Sequence, residues 1–161
     1  MARQLPYSPD DFTQDGVLKV SPLLWLIIIY LSRHLLIVLI GKLSQWVGSG
    51  QGIDSSGLAA LYSNPEFMVA SMPAVMVLMI HFRRTSSAKP IFRTLWRKGR
   101  WLLGFAAGLD LLILASHWSF GSIVANEFQI AAAFIDVYIV MYLIRSKRTR
   151  DTFEDFPLSA T

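Results

Sequence analysis

Four long apolar blocks dominate the chain, at residues 22–47, 65–82, 101–118 and 126–144. Each approaches the ~20 residues a helix needs to cross a hydrocarbon core ~30 Å thick. In lipid, backbone polar groups are satisfied only within helices or closed barrels. These blocks are too long and too continuously apolar for barrel strands. The pattern therefore predicts an all-α, polytopic membrane protein: one four-transmembrane-helix bundle over residues 1–161. Pro22 suits a first helical position, where its missing N–H is not needed. The Gly- and Ser-rich stretch 48–57 reads as a loop.

Composition agrees with this picture, because 53% of the residues are hydrophobic and only 16% charged. The basic residues give the bundle a direction. The connection 83–100 carries Arg83, Arg84, Lys89, Arg93, Arg97, Lys98 and Arg100 without an acid, and Arg145, Lys147, Arg148 and Arg150 follow the fourth block. The other two connections hold no Arg or Lys, but do contain Asp54 and Glu127. By the positive-inside rule the basic connection and the C-terminus are cytoplasmic, and four spans return the N-terminus to the same side. Trp25 and Trp101 then fall near the inner boundary, Trp46 and Trp118 near the outer one. Orientation accounts for the net charge of +4, so no nucleic-acid partner is expected. With no cysteine, disulfides and thiolate sites are excluded. Asp10, Asp11 and Asp15 near the start argue against a cleaved signal peptide, so the first block is read as a retained helix.

Several charges lie inside the blocks. Arg33 is eleven residues in from Pro22, Asp110 nine in from Trp101, and Asp136 nine back from Arg145. All three come to roughly 13–17 Å depth. A lone charge there costs on the order of 2.5–3.5 kcal/mol. Arg33 is accordingly expected to pair with Asp110, Asp136 or both, its planar fork matching a carboxylate. His34 can neutralise the second carboxylate, or one aspartate can stay protonated. Helical phase puts Tyr30, Arg33, His34, Gly41, Ser44 and Gln45 on one side of the first span. It likewise groups Ala106, Ala107 and His117 with Asp110, and Gln129, Ala132 and Ala133 with Asp136. Such a network of Arg33, His34, Asp110 and Asp136 either fixes helix register or relays protons or ions.

Other features have simpler explanations. Met68, Met72, Met76 and Met79 share one side of the second span, where packing against neighbours or lipid suffices. Soft thioether ligation of copper is the alternative. Pro73 is expected to kink that helix. Gly104 and Gly108 form a GxxxG pair, read here as packing within the monomer, with dimerisation as the alternative. Residues 90–100 resemble an interfacial helix: Ile91, Phe92, Leu95 and Trp96 lie on one side and Arg93, Arg97, Lys98 and Arg100 on the other, facing anionic lipid headgroups. The three histidines lie on separate helices, and no catalytic, metal-binding or phosphate-loop motif is present. No cofactor, metal or enzymatic activity is expected.

The termini carry a resemblance. Residues 7–12 read Tyr-Ser-Pro-Asp-Asp-Phe, followed by Gly16, Lys19, Pro22 and Trp25; the tail runs from Arg145 through Phe153, Glu154, Asp155 and Phe156 to Pro157. With the segment from Trp96 to Trp101 and Asp110, this resembles a gammaproteobacterial family of small inner-membrane proteins that bears only a domain-of-unknown-function label. The resemblance implies a multi-pass protein of the bacterial inner membrane with four spans, and no activity. The tails themselves are expected either to be disordered or to dock. Docking would bring Phe12, Phe153 and Phe156 onto each other or the basic connection, with Asp10, Asp11, Glu154 and Asp155 facing its cations. A non-enzymatic assembly, scaffold or modulator protein is the leading expectation, with a membrane-protein partner or a homo-oligomer. A small transporter or proton-coupled carrier using Arg33, Asp110 and Asp136 is the alternative.

Overall fold

Ser21 sets the first helix: its hydroxyl accepts the N–H of Leu24 at 3.2 Å, and Pro22 occupies the first helical position. In the computed structural model, which describes residues 7–13, 16–47, 65–85, 88–116 and 127–157, seven helices follow in order among those residues. They are α1 (Pro22–Leu31), α2 (Arg33–Val47), α3 (Pro65–Phe82), α4 (Pro90–Arg97), α5 (Gly99–Ser116), α6 (Glu127–Arg145) and α7 (Lys147–Glu154). A short 3-10 turn, Pro9–Asp11, precedes them. Among the described residues there is no strand, only one antiparallel bridge between Phe12 and Leu18.

The helices α3 and α5 are each long and apolar enough to cross a membrane, and the number rises to four if the bent pairs α1–α2 and α6–α7 each count as one. Packing is sequential: α3 lies against α5, α5 against α6, and both α1 and α2 against α3. Leu24, Ile28, Val77, Leu103, Ala107 and Leu143 meet in the shared core. The outer surfaces carry Leu26, Leu39, Met79, Leu112, Phe134 and Ile144, all exposed. A belt of large apolar side chains turned outward suits hydrocarbon as the surrounding medium.

The first block is not one continuous helix. It breaks at Ser32, and Pro22–Leu31 meets Arg33–Leu43 at 68°. No proline or glycine stands at the break. Instead the Arg33 guanidinium donates to its own Tyr30 carbonyl at 3.1 Å. A side chain that takes a carbonyl out of the helical ladder is a recognised cause of a sharp bend. The ladder resumes on both sides, with Ser32 donating to Ile28 and Leu36 donating to Ser32 at 3.0 Å each. Pro73, by contrast, leaves α3 a single helix. The third and fourth blocks form helices close to expectation, as Gly99–Ser116 and Glu127–Arg145. His117, Trp118 and the Gly/Ser-rich loop lie outside the described residues, as do the side chains of Ser44, Gln45 and Trp46.

The basic end of the bundle is closed by a folded cap. At Ser146 the chain turns by 67° from α6 into the polar α7, whose first turn is capped by the Ser146 hydroxyl. Helix α7 packs on α4 and α5. Gly99 is required there, because a Cβ at that position would overlap the Phe153 ring. Both terminal segments join this layer. Tyr7 donates to the Asp151 carboxylate at 2.7 Å, and Leu18 N–H donates to Asp155 at 2.6 Å. Arg148 meets Asp11 at 2.7 Å. Docking of the tails is thus borne out, although Asp11 faces Arg148 rather than a cation of the basic connection.

That Asp11 contact has a pH dependence. The hydrogen bond from Arg148, aided by its charge, holds the Asp11 carboxyl below the usual carboxylate range. A depressed folded-state value stabilises docking above the ordinary pKa and loses that effect as the pH falls through the depressed one. The background is free of cysteine, so a spin label at Ser8→Cys can report it. The label is expected to be immobile at neutral pH and mobile in acid, and with Asp11→Asn mobile at both.

Candidate functional site

The polar centre of the bundle is built where α1 gives way to α2. Arg33, the first residue of α2, sends Nη2 to Asp110 Oδ2 of α5 at 2.6 Å. Its other amine holds the Tyr30 carbonyl, and its guanidinium carbon stands 3.9 Å from the centre of the Tyr30 ring. The guanidinium is therefore fixed from three directions. The charge-assisted bond, the carbonyl and the ring face each offset part of the penalty for removing a cation from water. Asp110 is 2% exposed and Asp136 fully buried.

The expected interior faces are realised. On α5, Leu103, Ala106, Ala107, Asp110 and Leu114 are buried. On α6, Asp136, Ile139 and Leu143 are buried, with Gln129, Ala132 and Ala133 half-buried on the same side. The small residues let α1 come close enough for the Tyr30 hydroxyl to reach the Ala132 carbonyl at 3.4 Å. His34 is buried too, but it faces Asp110 rather than the second carboxylate. Its Nε2 stands 3.6 Å from Asp110 Oδ1, and its ring stacks on Phe67 of α3 at 4.9 Å. Arg33 and His34 thus converge on one aspartate. Asp136 sits alongside Asp110 and Tyr30, facing both. Of the two aspartates, Arg33 hydrogen-bonds Asp110, while its other amine holds the Tyr30 carbonyl.

A second cluster lies in the cap, around Trp96. This residue is fully buried: its indole N–H donates to the Thr152 carbonyl at 3.0 Å, and its ring meets Phe153 at 4.9 Å. Arg84 lies 4.9 Å from the same ring and ties three segments together, donating to Leu18 O at 3.1 Å and Asp155 O at 2.7 Å. Burial lowers the Arg84 pKa. The Trp25 indole meets His81 edge-on at 4.8 Å beneath this layer.

The apolar side of residues 90–97 is turned largely into the protein. Phe92, Leu95 and Trp96 pack on the protein core, and of that side only Ile91 is exposed. Of the four cations proposed to face lipid, Arg97 and Lys98 are exposed, whereas Arg93 turns onto the Phe156 ring and Arg100 onto Trp101. The GxxxG pair also departs from expectation, since a Cβ added to Gly104 or Gly108 would meet nothing within 4 Å. Met72, Met76 and Met79 all point outward. Ser32, Ser71 and Lys42 went unremarked in the sequence. Lys42 is exposed on α2, while Ser32 and Ser71 are buried in the bundle with unpaired hydroxyls. Small hydroxyl residues are common enough in apolar helices that nothing distinguished these two.

A family model described as "Protein of unknown function (DUF2919)" matches residues 7–155. The chain belongs to the DUF2919 family. Its matched region begins at Tyr7 and ends at Asp155, so the DUF2919 match takes in both docked terminal segments as well as every described helix. No curated protein and no solved structure matches this DUF2919 chain.

Proposed function

We propose that this chain is a four-span protein of the bacterial inner membrane, with both termini cytoplasmic, and that it acts without catalysis as an assembly, scaffold or modulator protein for a membrane partner or lipid environment. The observation that carries this is the inward use of its charge: the Arg33–Asp110 pair lies between helices of the same chain. The termini are likewise consumed in the cap by Arg148–Asp11 and Tyr7–Asp151. What the molecule presents outward is a belt of apolar side chains and exposed cations such as Arg97, Lys98, Lys147 and Arg150 at one end. Their position supports cytoplasmic placement by the positive-inside rule and contact with anionic headgroups.

The test compares wild type with Arg97→Gln/Lys98→Gln/Arg150→Gln, purified in mild detergent. A protein or anionic lipid that accompanies the wild type and is lost from the folded variant is expected; wild type that purifies alone contradicts the proposal. A C-terminal green fluorescent protein fusion is expected to fluoresce, as required of a cytoplasmic terminus.

A carrier function using Arg33, Asp110 and Asp136 is favoured by one observation, a fully buried carboxyl, Asp136, beside the Arg33–Asp110 pair. Intramembrane carboxylates mark ion and proton pathways. Asp136→Asn protein that accumulates normally yet abolishes a transport phenotype would favour the carrier; loss of the companion instead favours the scaffold.

A further inference from the structure

Asp110 and Asp136 are 2% and 0% exposed, on the neighbouring helices α5 and α6 that pack together. Counted from the basic end, Asp110 is eleven residues from Gly99 and Asp136 nine from Arg145. Both therefore lie about 14–17 Å deep. Their side chains meet: the Asp136 carboxyl is hydrogen-bonded to Asp110 and to the Tyr30 hydroxyl. Two ionised carboxylates are acceptors only and cannot bond each other, so one member of the pair supplies an O–H. The neighbours decide which. Arg33 Nη2 reaches Asp110 Oδ2 at 2.6 Å, and His34 Nε2 faces Asp110 Oδ1 at 3.6 Å. Both nitrogen side chains are turned on Asp110, which makes it the carboxylate. Asp136 has the neutral Tyr30 hydroxyl and Asp110 itself, which makes it the acid.

We propose that this pair is a binding site for one proton, carried by Asp136 and donated to the Asp110 carboxylate, and that the proton ties α5 to α6 in the middle of the bundle. Charge balance leads to the same count. One guanidinium against two carboxylates leaves a surplus negative charge in an apolar interior, and like charges in contact repel. A single proton removes both penalties. The layer becomes neutral, and the repulsion becomes a hydrogen bond to a charged acceptor, the stronger kind. The groups that face the pair are Tyr30 from α1 and Arg33 and His34 from α2, with α3 contributing the Phe67 ring that stacks on His34. The rival place for the proton is His34, whose imidazolium would also neutralise the layer. That arrangement leaves both carboxylates ionised and their contact without a donor. The inference goes beyond the scaffold function and requires no transport.

Infrared spectroscopy of the full chain in lipid, exchanged from water into deuterium oxide at neutral pH, reads the proton directly. Labelling aspartate with 13C separates its carbonyls from lipid esters and glutamates. The wild type is expected to show a protonated-carboxyl stretch that shifts with both isotopes, and Asp136→Asn is expected to lose it. Asparagine has nearly the shape of the protonated acid, and its amide can donate to Asp110 in the same direction, so this variant is expected to fold. Thermal unfolding in detergent gives a second readout. The unfolded chain gives up a carboxyl proton in the ordinary range while the folded pair keeps it, so the contribution of the proton is full in acid and shrinks as the pH rises. From mildly acidic to alkaline buffer, the wild-type midpoint is expected to fall relative to that of Asp136→Asn. A wild-type spectrum without the label-sensitive band overturns the proposal, as does a band that survives Asp136→Asn. Midpoints that run parallel across that range overturn it too, and so does an imidazolium signal from His34 at neutral pH in 15N NMR. None of these results touches the co-purification test of the scaffold function.

Discussion

Arg33→Ala or Asp110→Ala alone is expected to remove most of the protein from the membrane fraction, while Arg33→Leu combined with Asp110→Leu restores a substantial share. The pair joins α2 to α5 at 2.6 Å, with Asp110 almost fully buried. Removing one partner strands the other charge in an apolar interior, a loss of about 3–5 kcal/mol. That is a large fraction of the stability of a small domain. Replacing both charges with apolar side chains removes the stranded group and is often nearly neutral. Recovery is expected to be incomplete here, because Arg33 also satisfies the Tyr30 carbonyl at the helix break. Immunoblots of membrane fractions, with unfolding midpoints in detergent, read the outcome. Additive losses in the double variant would mean that the two side chains act independently.

Trp96→Ala is expected to release the cap. Its ring is fully buried among Phe153, Arg84 and His81, and its N–H holds the Thr152 carbonyl. Truncating a buried tryptophan to alanine costs about 3–5 kcal/mol. Trp96→Phe keeps most of the apolar area and loses one hydrogen bond, an effect of about 1 kcal/mol. In inverted membrane vesicles, trypsin is expected to cut at Arg148 or Arg150 much faster in Trp96→Ala than in wild type, with Trp96→Phe close to wild type. Gly99→Val should match Trp96→Ala, since its side chain takes the place of the Phe153 ring. Equal cleavage in all four proteins would show that the tail is held by something other than this seat.

Much of this architecture is legible in the sequence because membranes impose simple constraints. The bounds of α3 follow from the length of one apolar block. That Arg33 pairs with an aspartate at its own depth follows from the cost of an unpaired charge at that level. Helical phase finds the buried sides of α5 and α6. What sequence cannot supply is the choice among equivalent partners. Arg33 can reach either aspartate on depth alone; in the structure one amine goes to Asp110 and the other to the Tyr30 carbonyl. The break at Ser32 has no local signature, because a long-range pair positions the guanidinium that causes it. Trp96 reads as an interfacial residue on a basic amphipathic helix. Only the return of α7, which is itself too polar to show as a core element, makes it the centre of a buried cluster. The two glycines of the GxxxG pair look suited to close packing, yet α5 turns other residues toward its neighbours.

The central claim is a contact between two side chains in the bilayer, and it is measurable there. Solid-state NMR on chain reconstituted in lipid, with 15N-labelled arginine guanidinium and 13C-labelled aspartate carboxylate, reports their dipolar coupling; Arg33→Lys and Asp110→Asn controls assign it. In an Asp11→Asn background, which removes the Arg148–Asp11 pair of the cap, the 2.6 Å contact between Arg33 Nη2 and Asp110 Oδ2 predicts a coupling that both controls remove. No coupling in that background, or a coupling that survives Asp110→Asn, would contradict the account.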